Sequence, residues 1–371
     1  MPKTPPQSAA SNFPLKIELS GNPGELGRRH GELLAREIRQ MRRAFLHYLA
    51  RLTFFLGAWP ISAILQLLAR LAFWPHIPQR LKEELKGVAS GAGVGLSLVL
   101  LINTLDDLAN NFPACSALAL GEGRTADGLY LGGRNLDYPV FVDVLVNLQT
   151  LFLITPDNGL PLASLAWPGY IGVLTGMNRT GVALAQLTAF CGDRTLRGLP
   201  AGLRNRLVLE QAADVREAAA KVLAGPNTIG NNLLLLSPWE ALVLEVSAHR
   251  AAVRLPVAGL LTATNHFQSP AMAAVKRGFP RRPPLAVLEP YHFTEAYSQA
   301  RDARLQELAA RRPLGAADLR TILADPEIAN PGTVNSVIFQ PAILTLQVAR
   351  KGLPPVSRGD FVTLAVSAGL G

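Results

Sequence analysis

The sequence predicts an α+β layered fold, and three observations carry that expectation. The first third places its apolar residues at helical spacing; from Cys115 onward short apolar strands alternate with Gly, Pro, Asn and Asp turns; and two more helical stretches interrupt those strands. In chain order, "MPKTPPQSAASNFP" reads as a loose tail, and residues up to about Asp107 read as helical. Within that region "ELGRRHGELLAREIRQMRRAFLHYLARL" shows three- and four-residue apolar spacing with few β-branched residues, and "PQRLKEELKGVASGAG" has Pro78 near its start and glycines near its stop. Strands are then expected at "CSALAL", "GLYLGG", "VNLQTLFLI", "PLASLAW", "IGVLTG", "GVALAQL", "NNLLLLS", "ALVLEVS", "AAVRLP" and "GLLTAT". One amphipathic helix is expected from Arg204 to Gly225 and another over "AYSQARDARLQELAARR", before the closing strands "VNSVIFQP", "ILTLQVA" and "FVTLAVS".

A chain of 371 residues, 49% hydrophobic and 17% charged, has ample material for one large core or two ordinary ones, and disorder is excluded for most of its length. The net charge of +9 raises the question of nucleic acid. Basic residues come in short scattered groups (Arg28 and Arg29, Arg42 and Arg43, Lys276 to Arg282) without interleaved aromatics, so no nucleic-acid partner is expected. Two distant cysteines make no disulfide framework and fit either a reducing compartment or a catalytic thiol. The first fifteen residues lack a signal-peptide pattern, so the cytoplasm is the expected compartment, with the membrane surface as an alternative. The apolar run Thr53 to Phe73 has the length of a membrane span but contains Pro60 and Arg70. Two buried or surface-apolar helices are expected there, with Phe54, Phe55, Trp59 and Trp74 available for peripheral contact with lipid or a lipid-like substrate.

The chemistry concentrates around Cys115. If "CSALAL" and "GLYLGGR" form a hairpin about the Asp127-Gly128 turn, pairing Leu120 with Leu129 sets Cys115 opposite Arg134, with Asp137 just beyond. A fixed guanidinium favours the thiolate, and Asp137 is expected to hold the Arg134 fork or to accept from a nearby amine. The alternative is an ordinary buried cysteine beside a surface ion pair. None of the six histidines has a recognisable protease context, and G-x-S-x-G, H-E-x-x-H and paired C-x-x-C motifs are missing, so neither a metal nor a nucleotide cofactor is expected. A base is available from Cys115 itself if the bond after Ala114 is cut, because a new α-amino group titrates near pH ~8. The turn-forming "NNFPA" suits a peptide held exposed for attack by the Cys115 thiol.

Taken together and in order, "GNPGELGRRHGELLAREI", "EELKGVASGAG", "INTLDDL", "GGRNLDYP", "GYIGVLTGMNRTGV", "RLVLEQAADVREA", "ATNHF", "YSQARDARLQEL" and "TVNSVIFQP" resemble the N-terminal-nucleophile hydrolases. The resemblance is to the isopenicillin N acyltransferase family of autoproteolytic cysteine peptidases, and more distantly to acid ceramidase, N-acylethanolamine acid amidase and choloylglycine hydrolases. It implies a four-layer αββα sandwich in which residues 1–114 are a helical leader, cleaved but retained as an α-chain, and residues 115–371 form the catalytic β-chain. Self-cleavage between Ala114 and Cys115 would then give an α/β heterodimer. The resemblance further implies Cys115 as nucleophile, its own amine as general base, Arg134 and Asp137 as the pair that polarises the thiol and orients the amine, and Asn265 as an oxyanion donor.

Arg301 matches a recurrent arginine, with a helix-surface ion pair to Asp302 or Glu307 as its plain alternative. A second oxyanion asparagine of related hydrolases is replaced here by Thr188, and Ala114 stands where many relatives have glycine. Tyr138, Trp167, Tyr170 and Met177 are candidates for lining an acyl pocket, against plain core packing. Asn178 is expected to set a turn, Asn231 and Asn232 to be structural, and Cys191 to be a spare thiol. The reaction expected is cleavage of a linear N-acyl amide through a thioester on Cys115, with a small-molecule acyl donor that the apolar leader suggests is lipophilic. Water or a second amine would take the acyl group. Two other readings stand beside it: a non-enzymatic membrane-associated binding protein on the same scaffold, and a hydrolase using a histidine-activated Cys191.

Overall fold

Two stacked β-sheets, each covered on its outer side by helices, carry the fold in the computed structural model, which describes residues 14–52, 57–109, 114–138, 140–277, 294–311 and 313–366. The eight-stranded sheet has the order β1(Leu15–Gly21), β4(Thr150–Pro156), β5(Leu162–Ala166), β6(Thr175–Asn178), β7(Ala183–Thr188), β8(Asn231–Leu236), β9(Ala241–Val246), β10(Ala251–Arg254). The six-stranded sheet runs β11(Leu260–Ala263), β2(Ser116–Leu120), β3(Leu131–Asp137), β12(Thr333–Gln340), β13(Thr345–Ala349), β14(Phe361–Ala365). Helices α7(Ala201–Gln211) and α8(Val215–Leu223) lie on the first sheet, and α9(Glu295–Leu308) and α10(Ala316–Ala324) on the second. This is the four-layer αββα arrangement, with α1(Pro23–Leu33), α2(Ala35–Leu52), α3(Ala58–Phe73), α4(Gln79–Ala92) and α5(Leu96–Ala109) added before it and a short α6(Val142–Asn147) after β3.

Strand β2 shows why both faces of the inner sheets are apolar. Ala117 and Ala119 point into the main core between the sheets, while Leu118 and Leu120 point out into a second cluster with Leu305, Leu319 and Leu323 of the covering helices. The small alanines leave room on the inner face for the polar groups described below. The leader is built into the same core: Leu26, Ile38, Leu85 and Val99 share one cluster with Leu233 and Leu244.

Several elements differ from the sequence expectation. Leu15–Gly21, in the stretch expected to be helical, is instead an edge strand, β1, whose residues pair in parallel with β4, while all but the last residue of the expected tail "MPKTPPQSAASNFP" lie outside the described residues. A capping box between Asn22 and Glu25 with Pro23 starts α1 earlier than the apolar pattern shows, and the expected single helix to Leu52 breaks at Leu34. Likewise the Arg204–Gly225 helix is two, because Ala212 is extended and Asp214 caps α8 on the Glu217 N–H at 2.8 Å. The described part of the apolar run is one helix, α3, with Pro60 in its first turn, where a missing N–H costs nothing; Phe54 and Phe55 lie outside the described residues. The "VNLQTLFLI" strand begins only at Thr150, "IGVLTG" only at Thr175, and α10 was not expected.

Candidate functional site

Strand β2 leads directly out of the candidate nucleophile. The hairpin between β2 and β3 forms, but its register differs from the expected one by two residues: Leu120 pairs with Leu131 and Arg134 with Ala117. The connection is a ten-residue loop from Gly121 to Tyr130, in which Arg124 and Thr125 bond back to Gly121, rather than a tight Asp-Gly turn. A two-residue shift preserves the face, so Cys115, two positions before Ala117, stays on the side of Arg134.

Arg134 is wholly buried and ties the two sheets together: Nη1 donates to the Leu174 carbonyl at 3.0 Å and to Thr175 Oγ1, and Nη2 to the Gln186 carbonyl at 3.1 Å. Its fork therefore does not grip Asp137, which lies three residues along the strand and so on the other face. The Asp137 carboxylate instead accepts from Asn330 Nδ2 and Thr333 Oγ1, each at 2.7 Å. Burial pushes its pKa up to about 6 against the pull of Arg301 and of those two hydrogen bonds. Cys115 is 8% exposed, and its sulfur approaches the Asp137 carbonyl at 4.0 Å. Burial raises the thiol pKa, and Arg134 is the first influence lowering it.

Arg301 comes from the middle of α9 and is 1% exposed, not a helix-surface ion pair with Asp302 or Glu307. Its Nη1 donates to the Ala114 carbonyl at 2.8 Å, to Ser116 Oγ at 2.8 Å and to the Cys115 carbonyl, while Nη2 donates to Asn265 Oδ1 at 2.7 Å. Asn265, just past β11, is held by its N–H on Ser298 Oγ at 2.8 Å, and its own Nδ2 donates to the Thr188 carbonyl at 2.8 Å. Thr188 thus offers this cluster an acceptor, its backbone oxygen, and not the donor that an asparagine would supply.

Tyr138, Trp167 and Tyr170 line one cavity of about 80 Å³, together with Phe45, Leu105, Phe141 and other apolar side chains of α2, α5 and α6. Met177 does not reach it and is fully buried in the main core. The cavity adjoins the Ala114–Cys115 junction, since Ala114 packs with Val140, Tyr138 and Phe141. Its one carboxylate, Asp106, accepts from Tyr138 Oη at 2.6 Å. Asn178 sets its turn by accepting from the Thr180 and Val182 N–H groups, and Asn232 ties the Thr264 and His266 carbonyls. Cys191 is a buried thiol between the Asp193 N–H and carbonyl, with no histidine hydrogen-bonded to its sulfur among the described residues. Among the described residues no group of three or more His, Cys, Asp and Glu side chains is placed to hold a metal ion. Asn330 and Thr333, more than 190 residues from Asp137 in sequence, carry no role in the sequence reading, and neither do Thr175, Gln186 or Ser298, although Thr175, Ser298 and Thr333 fall within the motifs of the family resemblance.

Residues 124–310, half of the chain, match the profile of the acyl-coenzyme A:6-aminopenicillanic acid acyl-transferase family. The chain belongs to that family. The acyl-transferase match takes in Arg134, Asp137, Asn265 and Arg301 and begins nine residues after Cys115. Beyond the family profile, the chain is 26% identical over 277 residues to an uncharacterized protein of Archaeoglobus fulgidus, covering 64% of this chain and 44% of that one. It is 26% identical over 232 residues to protein dcd1B of Dictyostelium discoideum, covering 57% and 46% respectively. The chain spans about half the length of the curated relatives it matches. Among solved structures, the N-acylethanolamine-hydrolyzing acid amidase ortholog of Caenorhabditis elegans is similar at 17% identity with a TM-score of 0.44, over 68% of this chain and 99% of that one.

Proposed function

We propose that this acyl-transferase family member is a self-activating cysteine amidohydrolase or acyltransferase that works through a thioester on Cys115. The observation that carries the reading is the Arg301 guanidinium on the Ala114 carbonyl, which belongs to the peptide bond that must break to free the Cys115 amine. In the processing step the Cys115 sulfur bonds to the Ala114 carbonyl carbon and the carbon–nitrogen bond breaks. The thiol proton passes to the departing nitrogen, which becomes the α-amine, and water then hydrolyses the thioester to leave Ala114 as a carboxylate. Arg301 supports the developing oxyanion, as a fixed guanidinium in a dry site does effectively.

In turnover the same sulfur attacks the acyl carbon of an N-acyl amide, with the α-amine first taking the thiol proton and then giving it to the leaving amine. Arg134 favours the thiolate, Asp137 orients the amine, and Asn265 with backbone N–H groups holds the oxyanion. Water or an acceptor amine releases the acyl group. The apolar cavity beside Ala114 supports a lipophilic acyl chain, with Tyr138, Trp167 and Tyr170 as its walls. Residues 1–114 would remain as the α-chain and residues 115–371 would form the β-chain; Asn110 to Pro113, ahead of the cut, lie outside the described residues.

Intact mass and N-terminal sequencing of purified wild type and Cys115→Ala test this reading. Two fragments, the second beginning at Cys115, are expected from the wild type and one uncut chain from the variant. A preparation that turns over N-acyl amides while still joined at Ala114–Cys115 would overturn it.

A further inference from the structure

Helix α3, unlike an ordinary surface helix, is apolar on both its inward and its outward side. Its inward side carries the polar Ser62, which is buried and accepts from Gln66 Nε2 at 3.1 Å, beside Ala69 and Phe73. Its outward side carries Ile64, Leu67, Leu68 and Leu71, exposed by 56%, 56%, 46% and 66%. Positions 64, 67, 68 and 71 follow the three- and four-residue spacing of one helical face, so these side chains form a continuous apolar stripe. Arg70 is the only charged residue in the helix. A stripe of this kind exposed to water marks a contact surface.

Cations rim that stripe. At one end Arg42 of α2 lies over the exposed Trp59 ring at 5.1 Å. At the other end Arg70, Lys82 and Lys86 all approach the Trp74 ring within 6.0 Å. Helix α2 carries five arginines against the single carboxylate of Glu37, and on α4 Glu84 is buried in an ion pair with Arg206, leaving Glu83 as its exposed acid. Tryptophan beside lysine or arginine at the edge of an apolar face is the composition of a helix lying in a membrane interface.

We propose that α3, with Trp59, Trp74 and the cations around them, is a docking surface for an anionic lipid bilayer. A second copy of this chain fits the surface poorly, because pairing it with itself would bring two cationic rims together, whereas anionic headgroups complement them. The contact lies on the membrane and does not span it. Sixteen residues rise about 24 Å against a hydrocarbon core of about 30 Å, and no helix of the described residues is long and apolar enough to cross. Arg42 also lines the cavity that adjoins Ala114, so the docked face is continuous with the wall of that cavity.

The test is co-sedimentation of the full chain with vesicles of phosphatidylcholine alone and of an equimolar mixture with phosphatidylglycerol, at low and high salt. Binding is expected to the anionic vesicles and to weaken with salt. Leu67→Glu with Leu71→Glu, and separately Lys82→Glu with Lys86→Glu, are each expected to weaken it about tenfold or more. All four side chains project from helix surfaces, and unchanged circular dichroism confirms that the fold survives; the second pair still decides the question if the first disturbs it. No binding of the wild type to anionic vesicles, or binding that neither pair weakens, would overturn the proposal. So would a wild-type dimer in sedimentation equilibrium that Leu67→Glu with Leu71→Glu dissociates while vesicles go unbound, which would assign the stripe to a second copy.

Discussion

Arg301 and Asp137 act at the scale of single side chains, and each leaves a signature. Arg301 places one amino group on the carbonyls of Ala114 and Cys115 and on Ser116, and the other on Asn265, a fork that a lysine point charge cannot reproduce. Arg301→Lys is therefore expected to slow appearance of the two fragments about a hundredfold, the effect of losing roughly 3 kcal/mol of oxyanion support, as followed by timed denaturing gels. Asp137 gives a pH signature. Burial holds its pKa up to about 6, so its carboxylate is lost as pH falls through that value, and kcat/KM should show an acid limb there. In Asp137→Asn the limb should vanish, with activity low throughout; a limb that persists assigns it to another group. At this scale the sequence brought Cys115 and Arg134 to one sheet face with a register error that left the face unchanged. The partners of Asp137 were illegible, because Asn330 and Thr333 arrive from the far end of the chain and nothing local marks them.

Between α1 and α4 the packing is set by four glycines in two G-x-x-x-G repeats, Gly27 and Gly31 in "GRRHG", Gly87 and Gly91 in "GVASG". A Cβ on Gly27 would land on the Glu84 carbonyl oxygen, one on Gly91 on that of Arg28, and one on Gly87 would lie 2.5 Å from that of Gly24. The obstacles are backbone atoms on both sides, so a methyl group can be accommodated only by separating the helices. Alanine ordinarily favours a helix over glycine, but here Gly27→Ala or Gly91→Ala is expected to destabilise by about 1–3 kcal/mol or more, read as a fall in the urea midpoint. An unchanged or raised midpoint would show that the helices part freely. The helices were legible from apolar spacing, and Pro78 and Gly93 marked the limits of α4, the latter in the left-handed conformation at φ 64°. The breaks at Leu34 and Ala212 were not, because apolar spacing runs on through both, and only Asp214, a capping residue, signals the second. The exposed stripe of α3 was half legible: its apolar content was plain, but which apolar residues face protein is settled by tertiary packing, which buries Ala69 and Phe73 and leaves Ile64, Leu67, Leu68 and Leu71 outside.

Across the whole molecule the leader is held by polar ties as well as by the shared core. Beyond the β1–β4 pairing, Arg206 of α7 bridges Glu84 of α4 and Glu210, Asp107 of α5 accepts from the Ala201 N–H at 3.0 Å and from Thr228, and Asn103 accepts from the Ile171 N–H at 2.8 Å. The α+β layering was readable from the texture change at Cys115, but these long-range ties pair residues whose sequence neighbourhoods carry no mark of it. They imply that cutting after Ala114 leaves the two pieces together, co-eluting in native size exclusion and parting only in denaturant. His30 makes that association depend on pH. Its Nε2 accepts from the Gly169 N–H at 2.8 Å, which requires a neutral ring, and burial with the nearby Arg206 pushes its pKa down to about 3. The folded pKa lies below the unfolded value of about 6.5, so only the unfolded or separated state gains a proton between them, and stability falls as pH drops from about 6.5 toward about 3 by up to roughly 1.4 kcal/mol per unit. Glu84, raised by burial, works in the opposite sense, so the profile of the wild type alone does not isolate the histidine. The comparison with His30→Gln does, since a glutamine oxygen can still accept from Gly169 and does not titrate: between pH 6.5 and 4 the wild type should lose thermal midpoint relative to the variant, and parallel profiles would remove His30 from the account.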